Sequence, residues 1–198
     1  MDITAILGIA GSVSLLAGWR LYLSIFATGL AMRLDVLPLP EHLQSLEVLT
    51  NPWVLGIAGV AAAVEFFADK VMWLDSIWDA VHTLIRPIGG ALLALAIVDP
   101  ADPATQVIAF LLGGGATLAA HVGKAGTRAM VNTSPEPVSN VVVSTGEDVV
   151  TAALLYTAYE YPQFAAALAG ILALVVIGLL FAARSVMRRL FARKAPGV

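Results

Sequence analysis

The segment FAAALAGILALVVIGLLFAARSVMRRL, Phe164 to Leu190, holds no charged side chain before Arg184. A helix rises about 1.5 Å per residue and the hydrocarbon layer is about 30 Å thick, so roughly 20 apolar residues suffice to cross it. This segment has that length and no polar face to turn toward water. The rest of the chain has to be read with lipid as its solvent. Of the 198 residues, 59% are hydrophobic and 13% charged, against roughly a quarter charged in a soluble domain. That length admits at most about six or seven spans with short loops. The expectation is an all-α polytopic membrane protein, one membrane domain over residues 1–198 with about six transmembrane helices.

The apolar stretches place those helices. The first runs from about Ile3 to Met32, interrupted only by Arg20, and ends in LDVLPLPEH, where Pro38 and Pro40 stop it. Its opening, MDITAILGIAGSVSLLAGWR, has an acid where a secretory signal carries its basic region, so it is expected to be retained as a span. The second starts with Asn51 as N-cap and Pro52 at the first helical position. The third reads either as one Pro-kinked span from about Asp75 to Val98 or as a surface helix followed by a half-helix after Pro87. A fourth runs from about Thr105 to Met130, and the NTSPEPVSN that follows is expected to be non-helical and, at membrane depth, to face protein or water. A fifth runs from about Val141 to Tyr159, and the Phe164 segment is the sixth. Arg184, Arg188, Arg189, Arg193 and Lys194 should hold the C-terminus on the cytoplasmic side of a bacterial inner membrane.

An ionised side chain at mid-bilayer costs roughly 2.5 to 3.5 kcal/mol on insertion scales, yet about a dozen titratable groups lie near these spans. The basic ones are Arg20, Lys70, Arg86, Lys124 and Arg128, with His82 and His121; the acidic ones are Glu65, Asp69, Asp75, Asp79, Glu147 and Asp148. Their spacing is helical. His121, Lys124 and Arg128 share one face, as do Arg20, Ser24 and Thr28, and Asp75, Asp79, His82 and Arg86 continue down another. Such stripes point inward, toward one another or a wet cavity. The plainer alternative pairs them ion by ion to fix helix register, with Lys70, Arg33 and the basic tail simply snorkelling to the interface. His82 and His121 beside Asp79 would suit proton relay or a divalent ion, but no closed metal-ligand spacing appears and no cofactor is expected. The four tryptophans mark interfaces or packing, and Gly113, Gly114 and Gly115 allow close helix contact. With no cysteine, disulfides, thiolate metal sites and a cysteine nucleophile are excluded, and a net charge of -3 argues against a nucleic-acid partner.

Sliding the chain on itself by 108 positions sets Ala17, Gly18 and Arg20 against Ala125, Gly126 and Arg128, with Ser24 opposite Asn132. If residues 1–100 and 104–198 are repeat halves of three helices each, the odd number makes the repeat inverted, an arrangement frequent among transporters with broken helices.

The stretches AGWRLYLSIFATGLAMRL, VEFFADKVMWLDSIWDAVHTLIRPIGGALL and GKAGTRAMVNTSPEPVSNVVVSTGEDVVTAALL resemble the DUF4126 family of small bacterial integral membrane proteins, from about Leu15 to Leu155. The family pattern of an acid, aromatics, then Pro-Trp-hydrophobic-Asp and a second Asp is met by Glu65, Trp73, Asp75 and Asp79, with Met72 in place of the proline. Asn140 and Glu147 match a second segment. The resemblance implies a polytopic helical membrane protein and carries no activity with it.

From the residues themselves we expect a transporter or channel for a small polar or ionic solute, coupled to protons, with its site between the two halves. Glu65, Asp79 and Glu147 would contact a cation or couple to protons; Arg20, Lys124 and Arg128 would balance them. Asp69, Asp75, Asp148, Ser24, His82, His121, Asn132 and Asn140 would complete the lining. Two other classes fit less well: a scaffold or assembly factor whose charges are structural, and a lipid-modifying enzyme using Ser134, Ser139 or Ser144 with His121, for which no G-x-S-x-G motif is present. The small size also suggests a homo-oligomer.

Overall fold

The computed structural model describes residues 3–36, 41–98, 101–131 and 137–192. The Pro38 and Pro40 break, Asn132 and Ser134, and the tail residues Arg193 and Lys194 fall outside the described residues. All the regular structure described is helical: α1 (Ile3–Arg33), a 3-10 helix (Glu41–Thr50), α2 (Pro52–Ala68), α3 (Met72–Ile97), α4 (Pro103–Val131), α5 (Pro137–Glu160) and α6 (Pro162–Ala192). Five of them, α1 and α3 to α6, are long and apolar enough to cross a membrane, while α2 is apolar but shorter at 17 residues.

Prolines start four of these helices, at Pro52, Pro103, Pro137 and Pro162. The first helical N–H has no intrahelical acceptor, so proline loses nothing there. Residues 137–140, expected to be non-helical, are therefore the first turn of α5. Asn51 Oδ1 accepts from the Trp53 N–H at 2.9 Å, closing the start of α2. Asp102 does the same for α4, accepting from the N–H groups of Ala104 (3.1 Å) and Thr105 (3.3 Å) and from the Thr105 hydroxyl. In α3 the sequence misjudged the start: the helix begins at Met72, three residues before Asp75, and continues through Pro87 as one element. Neighbouring helices make an internal proline tolerable in such a setting.

Inside α1 the backbone leaves helical geometry at Arg20, with φ -142° and ψ 76°. With no proline near, the sequence predicts one unbroken helix here, and the structure departs from it. The carbonyls just before the break have found partners on other helices: Arg86 Nη1 donates to Gly18 O and Lys124 Nζ to Trp19 O, each at 3.3 Å. A side chain inserted into the helix ladder is a recognised cause of a kink. The two parts of α1 also have different companions. Before the break, Ser12 Oγ donates to Ala165 O of α6 at 3.0 Å, and Thr117 Oγ1 of α4 donates to Ser14 O at 2.7 Å. After it, Thr28 Oγ1 meets the Tyr159 hydroxyl of α5 at 3.4 Å. α1 touches every other helix and is the axis of the bundle.

An apolar core gathers around Ile9, Val13, Leu16, Leu46, Ile97 and Val98. Large apolar side chains also cover the outside, with Leu84 76% and Leu174 70% exposed. Water would not tolerate that surface, whereas lipid matches it.

Close approach of α1 and α4 depends on Gly18, where a Cβ would lie 2.4 Å from Thr117 O and 2.6 Å from Ala120 Cβ. A backbone oxygen cannot be displaced cheaply. Gly18→Ala is expected to destabilise by about 1–3 kcal/mol through overpacking, while Gly56→Ala, which meets nothing within 4 Å, should not destabilise; thermal midpoints in detergent separate the two. The cap on α4 sets a pH dependence. The Thr105 side chain, and then the Thr105 and Ala104 N–H groups, hold the Asp102 carboxyl below its ordinary range. Its folded pKa is therefore depressed, so the cap's contribution is complete above the unfolded value and fades as pH falls through the folded one. Asp102→Asn should flatten that part of the acid melting profile, and an unchanged profile would argue against the cap.

Candidate functional site: a buried ion-pair cluster

Arg20, Arg86, Lys124, Arg128, Glu65, Asp69, Asp75 and Asp79 are each at most 6% exposed, and they lie together. Helical spacing explains how. Glu65 and Asp69, one turn apart, finish α2; Asp75, Asp79 and Arg86 fall on one face of α3; Lys124 and Arg128, again one turn apart, come from the far end of α4. Arg20 enters from the break in α1, and α5 adds Glu147 and Asp148, whose side chains are 18% and 20% exposed.

Asp69 is the most heavily shared member. Its Oδ2 pairs with Arg20 Nη1, with Lys124 Nζ at 2.9 Å and with Arg128 Nη2 at 3.5 Å, and its carbonyl accepts from Arg128 Nη2 at 2.7 Å. Arg20 is nearly as crowded from the other side. Its Nη2 donates to Glu147 Oε2 (3.0 Å), Ser144 O (3.0 Å) and Ser144 Oγ (3.1 Å), and its Nε lies 2.8 Å from Asp148 Oδ1. One guanidinium thus serves three carboxylates.

Arg86 forms the second centre. Nη2 donates to Glu65 Oε1 at 2.5 Å, and Nη1 is shared among Asp79 Oδ1 (3.2 Å), His121 Nδ1 (2.6 Å) and Gly18 O. Lys124 joins the two centres, standing 4.0 Å from both Glu65 Oε1 and Asp79 Oδ1. Arg128 extends the cluster to Asp75 Oδ1 at 3.5 Å and to the Asn140 carbonyl and side-chain oxygens at 3.3 Å.

The histidines have fixed roles. An arginine can only donate, so His121 Nδ1 accepts from Arg86, which leaves Nε2–H to donate to Asp79 O (3.1 Å) and Thr83 Oγ1 (3.0 Å). His82 is arranged the other way: Nδ1–H donates to Trp78 O (2.7 Å) and Nε2 lies 2.9 Å from the Tyr22 hydroxyl, with the ring stacked on Trp78. The Arg86 contact fixes His121 as the neutral Nε2–H tautomer.

Most of the expected site residues are brought together here, with exceptions. His82 belongs to an aromatic group with Tyr22 and Trp78 and has no ion-pair partner among the described residues. Ser24 bonds to the Arg20 carbonyl one turn back, at 2.7 Å, and so supports the break and not the ions. Asn140 is a neighbour of Arg128, and Asn132 lies outside the described residues. Arg86, which the sequence places on the inward Asp75, Asp79, His82 stripe but not among the expected lining residues, is a centre of the cluster. Lys70, expected to snorkel, instead lies over the Phe66 ring at 3.0 Å, with Ser144 Oγ at 3.5 Å, at the rim. Ser144, considered as a nucleophile, accepts from Arg20, and no bond to His121 appears among the described residues. No three histidine, aspartate or glutamate side chains among the described residues are grouped so as to hold a metal ion.

The family resemblance rests on these same acids. A family model described as "Domain of unknown function (DUF4126)" matches residues 7–182. The chain belongs to that family. Neither the curated proteins nor the solved structures contain a match to it. The matched region takes in every member of the cluster, from Arg20 to Asp148.

Removing one partner from a buried ion pair costs about 3–5 kcal/mol, because the charge left behind has no water to turn to. Asp69→Asn strips three cations at once and is expected to reach at least that range, seen as a large drop in thermal midpoint or loss of monodisperse protein. Glu47→Gln, on the exposed side of the 3-10 helix, serves as the neutral comparison. Equal midpoints for the two variants would remove Asp69 from its central place.

Proposed function

We propose that the chain carries a small ionic solute across a bacterial inner membrane, with the buried ion-pair cluster as its site. The observation behind this reading is the cluster itself: ten ionisable groups from five helices, gathered around a helix broken at Arg20. Each charge at mid-bilayer costs roughly 2.5–3.5 kcal/mol before pairing. Buried pairs rarely repay more than that, since apolar residues of equal volume stabilise as well or better. A bundle that needed only rigidity would have a cheaper core in leucine and alanine. Ionisable groups inside a membrane, placed beside a discontinuous helix, are the usual furniture of a solute or ion path.

On this reading the α5 acids form the approach, being the only partly exposed members, and Glu65, Asp79, Lys124 and Arg86 form the deep end. The expected relation between halves also belongs here as a proposal. Arg20 and Arg128, equivalent in the alignment, meet at one carboxylate, Asp69, which favours a paired architecture; but Ser14 and Trp19 follow Thr117 and Lys124 in the same order, so the first part of α1 runs with α4. Inversion would have to involve α1 beyond its break. The basic residues at the end of α6 favour a cytoplasmic C-terminus on this reading.

A structural scaffold is the rival, supported by the fact that each of the four buried cations has a carboxylate partner. The two part in a flux experiment with the full chain in liposomes, loaded in turn with small inorganic ions and small polar solutes. Transport predicts a flux above that of empty liposomes, reduced at least about tenfold, or roughly 1.4 kcal/mol, by Glu65→Gln and by Arg128→Gln in preparations that remain folded. Flux that is unaltered in both variants would reject the mechanism, and the absence of any protein-dependent flux would favour the scaffold.

A further inference from the structure

The cluster does not balance. Six carboxylates, Glu65, Asp69, Asp75, Asp79, Glu147 and Asp148, face the four buried cations. Counting Lys70 at the rim as a fifth cation still leaves one negative charge unmatched. His121 does not supply it, because Arg86 donates to one of its ring nitrogens, and His82 has no ion-pair partner in the cluster among the described residues. Hydrogen bonding does not close the cluster either: Glu65 Oε2, Asp69 Oδ1 and Asp148 Oδ2 are buried without a hydrogen-bond partner, as are the Nε groups of Arg20, Arg86 and Arg128, so the oxygens have room to take a proton. Of these, Glu65 and Asp69 are 1% and 0% exposed.

A net charge in a low-dielectric interior is met either by a counter-ion or by a proton. A metal ion would need several acidic or imidazole ligands around one point, and among the described residues no such group of three exists. A proton needs one oxygen. We propose that the cluster binds an exchangeable proton, held by the Glu147 and Asp148 pair of α5. The pair is the place where compensation is thinnest: Arg20 is its ion-pair partner among the described residues, and Arg20 is shared with Asp69, which also has Lys124 and Arg128. It is also where the cluster opens outward, so a proton enters and leaves there without crossing the paired interior. The charged and titratable groups around it are Arg20 from α1, Glu65 from α2, and Asp69 and Lys70 from the turn between α2 and α3. Neutralised, the pair loosens its hold on Arg20 and shifts that guanidinium toward Asp69, at the break in α1. This deepens the transport reading by naming the coupling ion, and rests on it only for what the proton would drive.

Infrared spectroscopy of the full chain in phospholipid, near neutral pH, detects the C=O stretch of a protonated carboxyl directly. A band that shifts on exchange into D2O is expected. Asp148→Asn removes the unmatched charge, so the band should disappear; Lys70→Met leaves a second charge unmatched, so the band should grow by about twofold. Asp102→Asn, on the exposed α4 cap, should not alter it. No exchangeable band in the unmodified chain would overturn the proposal, as would a band indifferent to both cluster variants. If Asp148→Asn fails to fold, the isotope shift and Lys70→Met still decide. Ion or solute flux without the band would reject the proton and leave transport standing; the band without any flux would reject transport and leave the proton.

Discussion

Three cations, from α1 and from α4, converge on the single carboxylate of Asp69, and that convergence fixes where the helices stand. Lipid cannot solvate any of these charges, so each has to find its partner within the bundle. Asp69 finishes a helix of 17 residues, and its ion pairs draw the end of α2 to the break in α1. The first residues of α3 follow at once, bringing Asp75 to Arg128 and Asp79 toward Lys124, while Asp79 also meets Arg86 two turns along the same helix. Around the cluster, electrostatics fixes which helix faces meet, while the apolar core of Ile9, Val13, Leu16 and Ile97 packs the rest of the bundle and further apolar side chains are spread over the outside.

The break in α1 depends on the same pairs. A helix interrupted in its middle leaves carbonyls without their N–H partners, a serious cost where no water is near. Gly18 and Trp19 hand those carbonyls to Arg86 and Lys124, cations that are in place because Glu65, Asp69 and Asp79 hold them there. Ion pairing and backbone satisfaction are one arrangement. Neither would survive without the other.

This also explains what could and could not be read from the residues in order. Hydropathy located the long helices, and the i, i+4 spacing of Glu65 with Asp69 and of Lys124 with Arg128 foretold that charges would share faces. Which faces would meet was beyond local pattern. Arg86 is one residue before a proline, in a stretch that read as ambiguous, and only the fold carries it to Glu65. The break at Arg20 has no proline or glycine pair to announce it, since its cause lies 66 and 104 residues away in Arg86 and Lys124. The turn at Pro137 failed differently: proline stops a helix from within but begins one well, and the rule needs the helix boundary it is used to predict.

A network in which every cation is shared responds to a local change as a whole. Arg86 divides itself between Glu65 on α2 and Asp79 and His121 on α3 and α4, at 2.5, 3.2 and 2.6 Å. Weakening any one of these acceptors strengthens its claim on the others and, through Nη1, alters the bond to Gly18 O that supports the break. Arg20 does the same between α5 and Asp69. Two guanidiniums, each with several acceptors on different helices and each tied to the interrupted stretch of α1, are the parts from which discrete alternative pairings are made. A dry apolar core has no such alternatives, because leucine contacts differ from one another only by degrees, whereas an arginine that leaves one carboxylate has to arrive at another.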